Sequence, residues 1–269
     1  MPLDSLYTRF DYSSLLKLGS NDVHLWVVQP QVIRQVNLLA LYRNLLSEEE
    51  LQKQQSYVFE KKRHSALITR AFIRDVLSHY ADIPPALWQF KAGSHGKPEI
   101  VNSQQPLQFN LSHTDDLIIC AVTLIDEIGC DVEMTDRNND FLAIAENYFS
   151  KSEYEELLSN SGIQQRSRFY DYWTLKESYI KALGQGLAIP LTDFSFHIGP
   201  AERNQYNDNI GLSFPPHRTD LAEHWRNWLF YPDYKHRIAI SVKSQSDNQT
   251  RYYKFRYFEN TPLVITKEL

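Results

Sequence analysis

A chain of 269 residues, 42% hydrophobic and 23% charged, carries enough apolar material for one large domain or two of ordinary size. Its 16 Tyr, 14 Phe and 5 Trp exclude long disordered spans, and a net charge of −5 argues against a nucleic-acid partner. The most apolar stretch, Leu117 to Ile125, is far too short to span a membrane. The opening residues Met1 to Leu6 show no basic segment leading into an apolar one, and Cys120 and Cys130 sit in strand-like apolar surroundings that suit core thiols rather than a disulfide or a metal pair. A cytoplasmic protein is expected.

In chain order, Ser47 with Glu50 forms a capping box that opens a helix. From Lys53 to Arg74 six basic residues face one acidic residue, Glu60, a local balance that suits either a small polyanion or a solvated helix face. Arg70 and Arg74 lie one helical turn apart. Gly96-Lys97-Pro98 reads as a stiffened turn with a point charge, and it lacks the glycine spacing of a P-loop. Phe109-Asn110-Leu111-Ser112-His113 precedes the strand Leu117–Val122, and Ile128-Gly129-Cys130-Asp131-Val132-Glu133 alternates as a further strand. A second capping box, Ser150 with Glu153, precedes a helix through Phe169–Leu183 that Gly184 stops. Residues 200–220 read as a surface loop, and Ile238–Val242 as a last apolar strand.

This order is duplicated. Ile83-Pro84 through Phe90 to Gly93 parallels Ile189-Pro190 through Phe196 to Gly199, with Ile, Pro, an aromatic, Phe and Gly at the same offsets. Each copy follows a capped helix and a longer helix, and precedes a strand. Two similar α+β halves are expected, joined near residues 125–135, with a cleft between them for a ligand.

The chemistry rests on a few groups. Asp131 and Glu133, two apart on a strand, share a face, and paired carboxylates without His or Cys suit a hard cation such as Mg²⁺; such residues also close strands at ordinary surfaces. Trp173, Glu177 and Lys181, four apart, share one helix face, while Leu175, Tyr179 and Ala182 form an apolar stripe. Ser112-His113 can offer hydroxyl, imidazole and backbone N–H groups to a phosphate, or can be a satisfied loop pair; no Gly-x-Ser-x-Gly surrounds Ser112.

Taken together and in order, Gly96-Lys97-Pro98, Phe109 to His113, Ile128 to Glu133 and Trp173-x-x-Lys176-Glu177-Ser178-x-x-Lys181 resemble the motifs of the 4′-phosphopantetheinyl transferases, of the larger two-lobed type that includes the surfactin synthetase activator. The resemblance implies an α+β fold of two pseudo-twofold-related lobes, each a small antiparallel-rich sheet packed with helices. Residues 1–127 would carry the coenzyme A phosphate contacts and residues 128–269 the metal ligands and the catalytic helix, around an active site in the interlobe cleft. It implies a monomeric enzyme that moves the 4′-phosphopantetheine of coenzyme A to a serine of an apo carrier protein, with neither nucleic acid nor membrane as partner.

By the same resemblance Asp131, Glu133 and Glu177 surround Mg²⁺, Glu177 is the base, and Lys181 steadies the developing charge. Gly96, Lys97 and Pro98 approach the pyrophosphate, Ser112 and His113 contact phosphate, Lys61 or Arg63 reaches the 3′-phosphate, and Lys91 assists. Met134 to Tyr148, with Phe141 and Leu142, would meet the carrier or pack in the core. Two rivals are a Mg²⁺-dependent pyrophosphohydrolase of coenzyme A or a nucleotide, using the same carboxylates with water, and a non-catalytic coenzyme A- or carrier-binding regulator. The hydrolase predicts turnover without a protein acceptor, the regulator binding without turnover.

Overall fold

The computed structural model describes residues 15–93, 95–201, 206–245 and 252–268. The first half runs β1 (Asp22–Val28), α1 (Val36–Leu45), α2 (Glu48–Ser56), α3 (Glu60–Ser78), the hairpin β2 (Phe90–Ala92) and β3 (Pro98–Ile100), then β4 (Gln108–His113) and β5 (Ile118–Thr123). The second repeats it with β6 (Glu127–Met134), α4 (Phe141–Tyr148), α5 (Lys151–Ser159), α6 (Gly162–Leu183), β7 (Ser195–Ile198), β8 (Tyr206–Asn207), β9 (Ile210–Ser213), β10 (Trp225–Phe230) and β11 (His236–Lys243). In one half β1 pairs antiparallel with β5 and β5 with β4; in the other β6 pairs with β11 and β11 with β10 in the same sense. The expected surface loop at 200–220 contains β8, which extends the second sheet beside β10, and β9, which closes a hairpin on β7. Strands of two and four residues leave too little alternation to be read in advance.

Both expected capping boxes form, with the serine hydroxyl accepting from the N3 backbone and the N3 glutamate accepting from the cap N–H. Each glutamate also reaches a cation on the long helix behind it. Glu50 pairs with Arg74 at 2.7 Å and lies 3.9 Å from Arg70, and Glu153 pairs with Lys176 at 2.8 Å. Arg70 and Arg74 are thus structural partners, and the duplicated device is a capping glutamate tied to the long helix.

The halves join through their sheets. Val23, Leu25, Ile119 and Ala121 face Ile128, Cys130, Val132, Trp228 and Ile240 in one apolar layer. The opposite face of the first sheet, with Trp26, Val28, Cys120 and Val122, packs on α3. Alternate residues of β1 and β5 therefore serve two cores, which is why these strands are buried on both faces.

One boundary differs from expectation. Within residues 128–269, β12 (Lys254–Thr261) and β13 (Ile265–Glu268) do not join the second sheet. β12 runs parallel to β1, giving the order β13-β12-β1-β5-β4. Phe258 stacks on Trp26 at 4.3 Å, Asn260 donates to Asp75 at 2.8 Å, and the Leu263 N–H donates to the same carboxylate at 2.9 Å. Without β12 the edge of β1 would stand open, and an open edge is a liability that folds cover. No helix among the described residues is long and apolar enough to cross a membrane.

Candidate active site

Ser112, Asp131, Glu133, Glu177 and Lys181 meet where α6 crosses β6. The crossing is close because residue 129 is glycine: a Cβ there would lie 1.9 Å from the Ser178 carbonyl oxygen and 2.3 Å from the Ala182 nitrogen. With the helix this near, Asp131 and Glu133 on β6 face Glu177 and Lys181 on α6. The apolar stripe of α6 is buried as expected, with Leu175, Tyr179 and Ala182 at most 2% exposed. Gly184 ends the helix in the left-handed region at φ 64°.

At the centre the Lys181 ammonium donates to Asp131 Oδ1 at 2.5 Å and to Ser112 Oγ at 3.0 Å. Ser112 Oγ donates to Asp131 Oδ1 at 2.8 Å and accepts from the Val132 N–H at 3.2 Å. Burial opposes charge on Lys181, but Asp131 outweighs it and the ammonium pKa rises above its usual value. Glu133 accepts from Trp173 Nε1 at 3.2 Å and pairs with Arg137 at 2.9 Å. Desolvation, then repulsion from Asp131, pushes the Glu133 carboxyl up to about 7. The same two causes raise Glu177.

Asp131 Oδ2 is buried with no hydrogen-bond partner. An orphaned carboxylate oxygen between two carboxylates of raised pKa is what a hard divalent cation would relieve, so the donor chemistry fits Mg²⁺. Among the described residues no three or more His, Cys, Asp or Glu side chains stand close enough together to hold a metal ion between them. That is compatible with an ion that takes one or two carboxylates and fills its other positions with phosphate and water.

A cleft of about 300 Å³ opens beside this centre, lined by Gly96, Asn110, Glu177, Lys181, Gly184 and Gly186 among others. Gly96 turns the β2–β3 hairpin at φ 84°, and Pro98 begins β3. Other expected contacts lie elsewhere. The Lys97 ammonium donates to two backbone carbonyls, of Ile128 and Ala182, each at 3.0 Å. Lys61 pairs with Asp115 and Asp116, Arg63 donates to the carbonyls of Tyr57 and Val58, and Lys91 pairs with Glu99. Ser112 spends its hydroxyl inside the protein rather than facing the cleft. His113, at the solvent-facing end of β4, has its pKa lowered by desolvation and by the charges of Lys62 and Lys181. Lys62, passed over in the sequence in favour of its neighbours, acts on His113 through its charge while its ammonium pairs with Asp115 at 2.9 Å; only the third dimension reveals it. Phe141 and Leu142 pack against the second core, whereas Tyr148 is 46% exposed.

Comparisons with known proteins identify the family. Residues 127–242 match the 4′-phosphopantetheinyl transferase superfamily, and residues 35–124 match the N-terminal domain described as 4′-phosphopantetheinyl transferase, N-terminal. The 4′-phosphopantetheinyl transferase HetI of Nostoc sp. is 34% identical over 192 residues, covering 70% of this chain and 78% of that protein. The chain belongs to the 4′-phosphopantetheinyl transferases. The transferase Sfp of Bacillus subtilis is 32% identical over 157 residues, 58% of this chain and 68% of that one. The L-aminoadipate-semialdehyde dehydrogenase-phosphopantetheinyl transferase of Mus musculus is 28% identical over 236 residues, 82% of this chain and 74% of that one. The first matched segment ends at Leu124 and the second begins at Glu127.

Proposed function

We propose that this transferase moves the 4′-phosphopantetheine arm of coenzyme A onto a serine hydroxyl of an apo acyl or peptidyl carrier protein, and that it does so as a Mg²⁺-dependent, monomeric, cytoplasmic enzyme. The observation that carries the reading is the convergence of Asp131, Glu177 and Lys181 beside an open cleft, in a chain of this family. One or two carboxylates of the set Asp131, Glu133 and Glu177 would hold Mg²⁺, which when bound would supply positive charge to the pyrophosphate of coenzyme A.

The chain's own groups then have distinct tasks. Glu177, its carboxyl pKa raised by burial and by repulsion from Asp131, accepts the proton of the carrier serine. The serine oxygen bonds to the phosphorus that bears the pantetheine, and the bond from that phosphorus to the bridging oxygen breaks. The electron pair leaves with 3′,5′-ADP. Lys181, held charged by Asp131, sets a cation beside the developing negative charge. Neutral His113 and the nearby Lys62 offer an N–H donor and a charge to a phosphate at the outer end of β4. Both cysteines are buried free thiols, in keeping with a reducing compartment.

The test is release of 3′,5′-ADP from coenzyme A and Mg²⁺, with an apo carrier, with the same carrier bearing alanine for its serine, and with no carrier. Release only with the intact serine supports transfer. Release in all three makes the protein a pyrophosphohydrolase, and binding of coenzyme A without release makes it a regulator.

A further inference from the structure

β6 is an edge strand. Among the described residues it pairs with β11 alone, so the backbone groups on its other side lie where a neighbouring strand would normally pair with them. No strand among the described residues does so. Instead three side chains from the other half reach that edge in register. Lys97 Nζ donates to the carbonyl of Ile128 at 3.0 Å, Asn110 Oδ1 accepts from the N–H of Cys130 at 2.8 Å, and Ser112 Oγ accepts from the N–H of Val132 at 3.2 Å. Asn110 and Ser112 stand two apart on β4, as Cys130 and Val132 do on β6, so the two strands share one period although their backbones do not pair. Lys97 makes a second bond, to the Ala182 carbonyl at 3.0 Å, in the last turn of α6. There the terminal carbonyls have no partner within the helix and the helix dipole favours a cation. The stem of Lys97 also packs against Gly184, whose absent Cβ would lie 3.2 Å from Lys97 Cδ.

We infer that Lys97 and Asn110 are positioning residues: with Ser112 they form a side-chain ladder on the open edge of β6 that fixes the strand bearing Asp131 and Glu133 against the helix bearing Glu177 and Lys181. Asp131 lies between the two N–H groups that Asn110 and Ser112 hold. Lys97 ties β6 and α6 to the hairpin turn that lines the cleft. The two motifs that resemble phosphate-binding elements thus serve, in these side chains, to join the halves. No carboxylate among the described residues lies within ion-pairing distance of the Lys97 ammonium; Glu127 and Glu99 favour its charge from farther off, and the Ile128 and Ala182 carbonyls hold it directly. A cation so committed is not extended toward a ligand.

The inference rests on the proposed transfer activity for its kinetic readout, and a second readout stands apart from activity. The full chain is compared with Lys97→Met, Lys97→Gln and Asn110→Leu, measuring kcat and KM for coenzyme A, together with hydrogen exchange at the Cys130 and Val132 amides. A misplacement of about 1 Å between catalytic groups lowers turnover by about 100-fold, so Lys97→Met and Asn110→Leu should lose at least about tenfold in kcat while KM for coenzyme A moves less than about threefold. Lys97→Gln, which keeps an N–H donor without the charge, should recover part of that loss. In Asn110→Leu the Cys130 amide should exchange at least about tenfold faster than in the parent. A Lys97→Met enzyme with kcat retained and KM raised about tenfold or more would make Lys97 a phosphate ligand and overturn the inference. Unchanged kinetics and unchanged Cys130 exchange would also overturn it. If the parent itself shows no transfer, the functional reading fails, and the exchange result alone decides whether the ladder holds β6.

Discussion

Gly129→Ala is the smallest change that should separate the two catalytic elements. The added methyl would sit 1.9 Å from the Ser178 carbonyl, 2.3 Å from the Ala182 nitrogen and 2.9 Å from the Ala182 Cα, all backbone atoms of α6. No rotamer change relieves such contacts, so strand and helix must part by about 1.5 Å to restore ordinary van der Waals separation. Overpacking costs about 1–3 kcal/mol, and rigid backbone on both sides puts this case near the upper figure. For a chain of this size that corresponds to a fall in Tm of about 6–12 °C. The same displacement stretches the 2.5 Å bond from Lys181 to Asp131 and moves Glu177 from the cleft, so kcat for transfer should fall about 100-fold. Differential scanning calorimetry and carrier-modification kinetics on the same preparation read both effects. A variant with Tm within about 2 °C of the parent and kcat within about threefold would refute the claim that close approach at Gly129 builds the site.

Three further predictions concern the duplicated frame and the outer end of β4. Lys176 and Glu153 form a fully buried pair, and Glu153 also accepts from the Phe196 and Ser150 N–H groups. Removing one partner, as in Lys176→Met, should therefore cost about 3–5 kcal/mol by urea denaturation. Ser150→Ala and Ser47→Ala each remove a capping hydroxyl worth about 1 kcal/mol. Because Ser150 is buried and Ser47 exposed, urea midpoints should show the larger loss for Ser150→Ala. His113 has a folded pKa below its unfolded value of 6.5, so as pH falls below about 6.5 the unfolded chain takes up a proton that the folded chain resists. Stability from this group is present above that pH and declines as pH drops. Thermal scans between about pH 7.5 and 5.5 should show a steeper acid decline in the parent than in His113→Gln.

The sequence made the duplicated order, both capping boxes, the stop at Gly184 and the facing pair Glu177 and Lys181 legible, because each depends on local spacing. It did not reveal that β12 covers β1. A terminal strand alternates like any other, and its partner is chosen by which edge is left open. The roles of Lys97, Ser112 and Gly129 were hidden for a related reason. Gly-Lys-Pro and Ser-His carry groups that can bind phosphate, but whether an ammonium or a hydroxyl faces a cleft or a backbone edge depends on how two halves dock. Gly129 stood within a quoted motif, yet only the helix crossing above it explains why no side chain fits there.

The central claim is that the cluster of Asp131, Glu177 and Lys181 transfers phosphopantetheine, and the intact mass of an apo carrier after incubation with the protein, coenzyme A and Mg²⁺ tests it most directly. The account predicts a gain of one phosphopantetheine per carrier, with the rate reduced by about 100-fold or more in Glu177→Gln and abolished by a chelator. A carrier of unchanged mass across several carrier types, or a gain that survives Glu177→Gln undiminished, would contradict it.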